Sequence, residues 1–242
     1  MKGMRFGMDY VLDTHCHTIV SGHAYSTLEE VVKKAADEGL ELVAITDHAP
    51  GLPGGAHMFY FSNLHVVPNN MYGIEVLRGI EVNIISYDGN IDVDDYTLSR
   101  LDIVIASLHP PCLDFGNIEQ NTNAVIGAMK NPYVNIIGHP DDGRYPLDYD
   151  KVVKAARDYN VLLELNNTSL NPKGFRKGIE NDKIMLKKCM ELNVPIVLGS
   201  DAHISFDVGN FDNSIKLLEE INFPKELVVN TSKDKLKRFL KG

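Results

Sequence analysis

Nine residues of this chain have the types and spacing for metal chemistry: His15, His17, His23, His48, Glu81, His109, His139, Asp201 and His203. Imidazole and carboxylate together suit zinc, with manganese or iron left open by the same donors. The run Asp13-Thr14-His15-Cys16-His17-Thr18 ends an apolar stretch. Alternate residues of a strand share a face, so His15 and His17 point the same way and can hold one ion. Asp201-Ala202-His203 repeats that alternation late in the chain. Between them come Thr46-Asp47-His48, Gly79-Ile80-Glu81, His109-Pro110 and Gly138-His139-Pro140. A His-x-His pair alone is a weak signal; the whole set is a strong one.

The elements that position these residues follow from the apolar pattern. Strand-like runs fall at residues 11–13, 42–46, 75–85, 102–107, 134–138, 161–165 and 195–199. Several are apolar on consecutive residues, as parallel strands covered on both faces are. Helical patterns lie at residues 27–38, 117–130, 148–159, 179–192, 212–221 and 233–240. The first opens on a capping signal, Ser26-Thr27 before Glu29 and Glu30, and closes at Gly39. Alternating strands and helices predict an α/β fold with a parallel sheet, and about seven strands favour closure into a barrel. In such barrels the C-terminal strand ends converge on the face that carries active sites. Seven of the nine histidines fall at those ends. His57 and His65 lie instead in an irregular Gly-, Pro- and Asn-rich segment, residues 49–72, and read as ordinary polar residues. A lid over the site is one role for that segment.

Composition narrows the class. The chain has 242 residues, 44% hydrophobic and 24% charged, and no linker divides it, so one domain over residues 1–242 is expected. No apolar run reaches the roughly 20 residues of a membrane span, and residues 1–9 lack a secretory apolar segment, so the expected location is cytoplasmic. Three cysteines, Cys16, Cys112 and Cys189, without paired spacing argue against disulfides or thiolate zinc fingers. Cys16 should point away from the metals, and Cys112 reads as a small buried hydrophobe. The net charge of -9 disfavours nucleic acid as a partner. The basic run at residues 233–241 reads as a helix C-terminus that favours cations. Homo-oligomerisation stays open.

These motifs resemble those of the PHP family, named for polymerase and histidinol phosphatase. The match covers Asp13-x-His15-x-His17, Thr46-Asp47-His48, Gly79-x-Glu81, His109, Gly138-His139-Pro140 and Gly199-Ser200-Asp201-x-His203. Residues 23–28, Leu77-Arg78-Gly79-Ile80-Glu81, Asp88-Gly89-x-Ile91-Asp92 and Glu164-x-Asn166-Asn167-x-Ser169 are similar to the YcdX-like phosphatases. The resemblance implies a distorted (β/α)7 barrel and three divalent metal ions. His15, His17, Glu81 and Asp201 would hold the first; Glu81, His109 and His139 the second; His23, His48 and His203 the third. It implies a metal-dependent phosphatase acting on a small phosphomonoester through a metal-bridging hydroxide, with Glu81, His109 and Asp201 as catalytic residues.

Asp13 and Asp47 flank ligands and are expected to orient imidazole N–H groups, with a turn-capping role the competing reading for Asp47. Arg176 and Lys177, in residues 171–181 before a helix, and Arg144, just after His139, are the phosphate-binding candidates. Three ions would add roughly +6 locally, so the acidic net charge is no obstacle. Competing readings are an amidohydrolase acting on a C–N bond, a DNA phosphoesterase and a catalytically silent metal-binding module. The first usually has fewer metals, the second lacks its polymerase or basic surface here, and the third would be expected to have lost ligands.

Overall fold

The computed structural model describes residues 10–240, so the expectation about residues 1–9 and the outer limits of a 1–242 domain lie outside the described residues. The apolar runs form strands β1 (Leu12–Asp13), β2 (Leu42–Ile45), β3 (Asn70–Met71), β4 (Ile74–Asn83), β5 (Ile103–Ser107), β6 (Ile136–Ile137), β7 (Leu162–Asn166) and β8 (Ile196–Gly199). Between and after them lie helices α1 (Leu28–Asp37), α2 (Met58–Asn63), α3 (Asp95–Leu98), α4 (Ile118–Met129), α5 (Tyr149–Tyr159), α6 (Ile179–Leu192), α7 (Asp212–Glu220) and α8 (Lys233–Lys237). The capping box at α1 is present: Thr27 accepts from the Glu30 backbone, and the Glu30 carboxylate accepts from the Thr27 backbone.

Seven strands run parallel in the order β1-β2-β4-β5-β6-β7-β8, while β3 pairs antiparallel with β4 outside that path. The two ends of the sheet meet just beyond β1 and β8, where Cys16 bridges Ala202 and the His17 N–H donates to the Ala202 carbonyl at 2.8 Å. The result is the distorted (β/α)7 barrel. Its floor is a buried cluster to which every barrel strand contributes, including Leu12, Leu42, Leu77, Ile103, Leu162 and Val197. Leu236 of α8 closes it from below.

Strand alternation carries the inward face from this floor to the site. On β4 the same phase runs Leu77, Gly79, Glu81, Asn83; on β5 it runs Ile103, Ile105, Ser107; on β7, Leu162, Glu164, Asn166. Each begins apolar and ends polar. The outward phase of β5 and β7 stays apolar, as in Val104, Ala106, Leu163 and Leu165, and belongs to the main core.

Residues 49–72 differ from the irregular loop expected. They contain α2, the 3-10 turn Leu64–Val66 and β3. The physical reason is local: His57 caps α2, its Nδ1 accepting from the Phe59 N–H at 3.2 Å, and Phe61 and Leu64 bury against the core. Among the described residues no helix is long and apolar enough to cross a membrane.

Candidate metal centre

The strand ends bring all nine predicted ligands to one face. Glu81, on the last turn of alternation in β4, is fully buried at the centre. Imidazole nitrogens approach its carboxylate from five directions: His48 Nδ1 at 2.6 Å, His139 Nε2 at 3.1 Å, His109 Nε2 at 3.4 Å, and His15 and His17 Nε2 at 3.5 Å. Ser107 Oγ donates to it at 2.6 Å. Asp201, which follows β8 in a left-handed backbone conformation, lies 3.2 Å from His17 Nε2 and 3.6 Å from His15 Nε2. His23 and His203 meet Nε2 to Nε2 at 3.0 Å, and the His48 ring stacks on His23.

Three groups have ligand atoms close enough to share an ion: His15, His17 and Asp201; His48, Glu81 and His109; and His17, His48 and His203. The buried nitrogens His15 Nε2, His17 Nε2, His48 Nδ1 and His109 Nε2, with Glu81 Oε2, have no hydrogen-bond partner. Buried polar atoms rarely stay unpaired, because each forfeits its hydration. Buried imidazole nitrogens and carboxylates converging on one point are what a divalent cation requires, so this donor set fits metal.

Charges within the cluster set its titration: burial pushes His15 down, but the carboxylates of Glu164, Glu81 and Asp201 outweigh it and hold the ring well above the usual imidazole range. Burial alone would push the Glu81 carboxyl up, but the imidazoles of His48, His15 and His109 hold it well below the usual carboxylate range. Burial acts the same way on Asp201, and His15 and Arg176 outweigh it, again holding the carboxyl well below. Burial and the neighbouring His48 push His17 well down, which keeps its ring neutral and able to ligate.

The residues expected to orient imidazoles do something different. Asp47 accepts from the Thr18 N–H and hydroxyl at 2.7 and 2.8 Å, from Ser21 Oγ at 2.6 Å and from the Tyr60 hydroxyl at 2.6 Å. Asp13 accepts from the backbone N–H groups of His15, Ser200 and Gly209. Both carboxylates are filled by backbone and hydroxyl donors, so they fix the loops that carry ligands rather than the rings. Groups that meet the rings directly include Glu164, whose Oε1 lies 2.7 Å from His15 Nδ1, Asn83, whose Oδ1 lies 2.7 Å from His109 Nδ1, and Ser21, bonded to Asp47 and 3.4 Å from His17 Nδ1. A glutamate inside the apolar run Leu162–Asn166 was the available signal.

A cavity of about 670 Å³ opens over the histidines. Arg176 lines it and donates to Asp201 at 2.9 Å. Arg144 also lines it, but its guanidinium is committed to both oxygens of Asp142, at 2.9 and 2.6 Å. Lys177 is exposed in a left-handed turn outside the cavity lining. Its chain neighbour Arg176 takes the inward position. Cys16 is buried beside Ser200, Cys189 is buried, and Cys112 is only half-buried, short of the expected core position.

The model of the PHP domain matches residues 13–171. The chain belongs to the PHP family. That match contains seven of the nine candidate ligands and stops before Asp201 and His203. Among curated proteins, the chain is 50% identical to a protein of Caldanaerobacter subterraneus subsp. tengcongensis named a probable phosphatase, over 99% of this chain and 94% of that one. It is 48% identical to a probable phosphatase of Acetivibrio thermocellus, over 97% and 96% respectively. Among solved structures, the fold is shared with the histidinol phosphate phosphatase of Lactococcus lactis subsp. lactis, crystallised with zinc, L-histidinol and phosphate. The TM-score is 0.62 at 20% identity, covering 89% of this chain and 95% of that one. A chain of an archaeal ribonuclease P complex also shares the fold, with a TM-score of 0.58 at 16% identity over 94% of this chain and 90% of that one.

Proposed function

We propose that this PHP protein is a metal-dependent phosphatase that hydrolyses a small phosphomonoester at a site for three divalent ions. The observation that carries the reading is the convergence of unpartnered imidazole nitrogens on Glu81 and Asp201 beneath a cavity lined by an arginine. Close relatives named probable phosphatases support the phosphate ester over a C–N bond. The ligands divide as His15, His17, Glu81 and Asp201; Glu81, His109 and His139; and His23, His48 and His203, with zinc the first choice and manganese or iron the alternatives. Bound there, the ions would supply a water acidic enough to attack near neutral pH and positive charge for the phosphoryl oxygens.

The protein's own groups do the rest. Arg176 is oriented by Asp201 at 2.9 Å and Ser169 at 3.3 Å, so its remaining donors are available to phosphoryl oxygens in the cavity. Asp201, between Arg176 and His17, stays ionised and would orient the attacking water by accepting from it. Glu81 and His109 hold the reacting centre in register, His109 through its bond to Asn83.

Elemental analysis of the purified protein with a phosphomonoester panel tests the reading. The expected result is three metal equivalents per chain and phosphatase turnover that His109→Ala and Asp201→Ala each lower by at least about a hundredfold. Activity retained in either variant sinks the mechanism. One or two metals with amide turnover would make it an amidohydrolase.

A further inference from the structure

We propose that the cavity selects a phosphomonoester whose alcohol is an uncharged hydrocarbon, and that Phe175 sets this preference. The inference rests on the phosphatase reading. At about 670 Å³ the cavity is far larger than a phosphate needs and falls in the range of sites that enclose a whole small ligand. The histidine cluster with Asp201 and Arg176 makes part of its lining polar. Three separate loops add carbon to that lining: Leu52 and Pro53 after β2, Pro110 and Pro111 after β5, and Phe175 after β7.

Phe175 is 65% exposed, so the fold itself gains little from it. It is nonetheless held in place. The Arg144 guanidinium carbon lies 4.7 Å from its ring centroid and that of Arg176 lies 5.4 Å away. Arg144 is fixed in turn by Asp142. An aromatic side chain positioned at a cavity wall by charged groups, and not covered by the protein, offers apolar area to whatever enters.

Few polar side chains on these walls are free. Arg144 binds Asp142 through Nε and Nη2, and the Thr168 hydroxyl donates to the Ser200 carbonyl at 2.9 Å. Apart from the candidate ligands and Arg176, Asp207 is the remaining polar side chain among the described lining residues. A polyol would exchange hydrogen bonds to water for contacts with carbon, leaving hydroxyls unpartnered. A hydrocarbon tail would lose nothing and bury its own surface.

Two measurements on the metal-loaded protein test this. Calorimetric titration compares benzylphosphonate with methylphosphonate, which share a head group and differ in the tail. Benzylphosphonate should bind about tenfold more tightly, with a more negative heat-capacity change. In turnover, 2-phenylethyl phosphate should exceed glycerol 3-phosphate in kcat/KM by about the same factor; both release a primary alcohol, so the chemistry is matched. Phe175→Ala should bring both ratios down to within about threefold, and Phe175→Tyr should keep them. Equal binding of the two phosphonates, or ratios that Phe175→Ala leaves unmoved, would overturn the assignment while the phosphatase reading stands. Turnover of neither ester together with binding of neither phosphonate would overturn both.

Discussion

Glu164 sits fully buried inside the barrel, with one carboxylate oxygen on His15 Nδ1 and the other accepting from the His139 backbone N–H at 2.7 Å and from Asn166 Nδ2 at 3.0 Å. It therefore ties two ligands on different strands to one another and fixes the His15 ring so that Nε2 faces the site. Such partners usually contribute a factor of about 10–100 to metal affinity. Glu164→Gln keeps the volume but turns a pure acceptor into a group that is half donor, facing the His139 N–H. Chelator competition should show metal affinity lowered by about 10–100-fold with the circular dichroism of the fold unchanged; undiminished affinity would remove Glu164 from the site. The candidate ligands were legible as a cluster because histidine recurs at strand ends in one phase. His57 and His65 were rightly set apart, one capping a helix and the other bonding the Ser62 carbonyl on the surface. What stayed hidden were pairings between strands. Nothing in the local sequence says that Asn83 meets His109, or that Glu164 meets His15.

The strands show why seven of them were readable while residues 49–72 were not. A β-strand advertises itself by apolar residues on both faces, whereas α2 depends on a histidine cap and on two residues, Phe61 and Leu64, that reach the core. Close approach between elements is equally silent. Gly199 ends β8 where a Cβ would stand 1.8 Å from Glu164 Oε1, and Gly178 precedes α6 where a Cβ would stand 1.8 Å from Asp141 Oδ2. Asp141, after β6, and Asp182, in the first turn of α6, are both buried and neither accepts a hydrogen bond within the described residues. Burial pushes Asp141 up to about 7 against the pull of Arg176, and burial with the Asp141 charge pushes Asp182 well above the usual carboxylate range. The folded chain then keeps protons that the unfolded chain has released, so stability present at low pH is lost as pH rises from about 4 toward neutrality. The slope approaches roughly 1.4 kcal/mol per pH unit while one extra proton is held. Asp182→Asn removes one carboxyl. Urea unfolding at pH 5 and pH 8 should show the variant gaining stability relative to the wild type across that span; parallel pH dependences would refute the coupling.

At the scale of the whole molecule, the site exists only if the barrel closes, since His15 and His17 follow β1 and Asp201 and His203 follow β8. Several contacts join those strands, among them the Ser200 N–H donating to Asp13, and two seams frame them. The upper one is the Cys16–Ala202 bridge at the site itself. The lower one is a side chain from neither strand: Asn230, in the 3-10 turn Val229–Thr231, donates to the carbonyls of Leu12 at 3.0 Å and Leu198 at 2.9 Å, while its Oδ1 accepts from the Leu198 N–H at 2.7 Å. An asparagine thus supplies the ladder that two short strands leave unmade, and it is fully buried. Its contact with Leu12 spans 218 positions, which is why the run before Lys233 reads from sequence as a plain approach to a helix. Asn230→Ala would leave three buried backbone groups unpaired, at about 1–3 kcal/mol for each that water cannot reach. With partial relief the loss should be about 3 kcal/mol, or a fall in Tm of about 6–12 °C for a chain of this size. Because both seams hold the same pair of strands, the variant should also bind metal more weakly at temperatures where it remains folded. Thermal unfolding with and without excess zinc checks this: added metal should recover part of the lost Tm by binding the closed barrel. An Asn230→Ala protein with wild-type Tm and metal affinity would show that the barrel closes without this side chain.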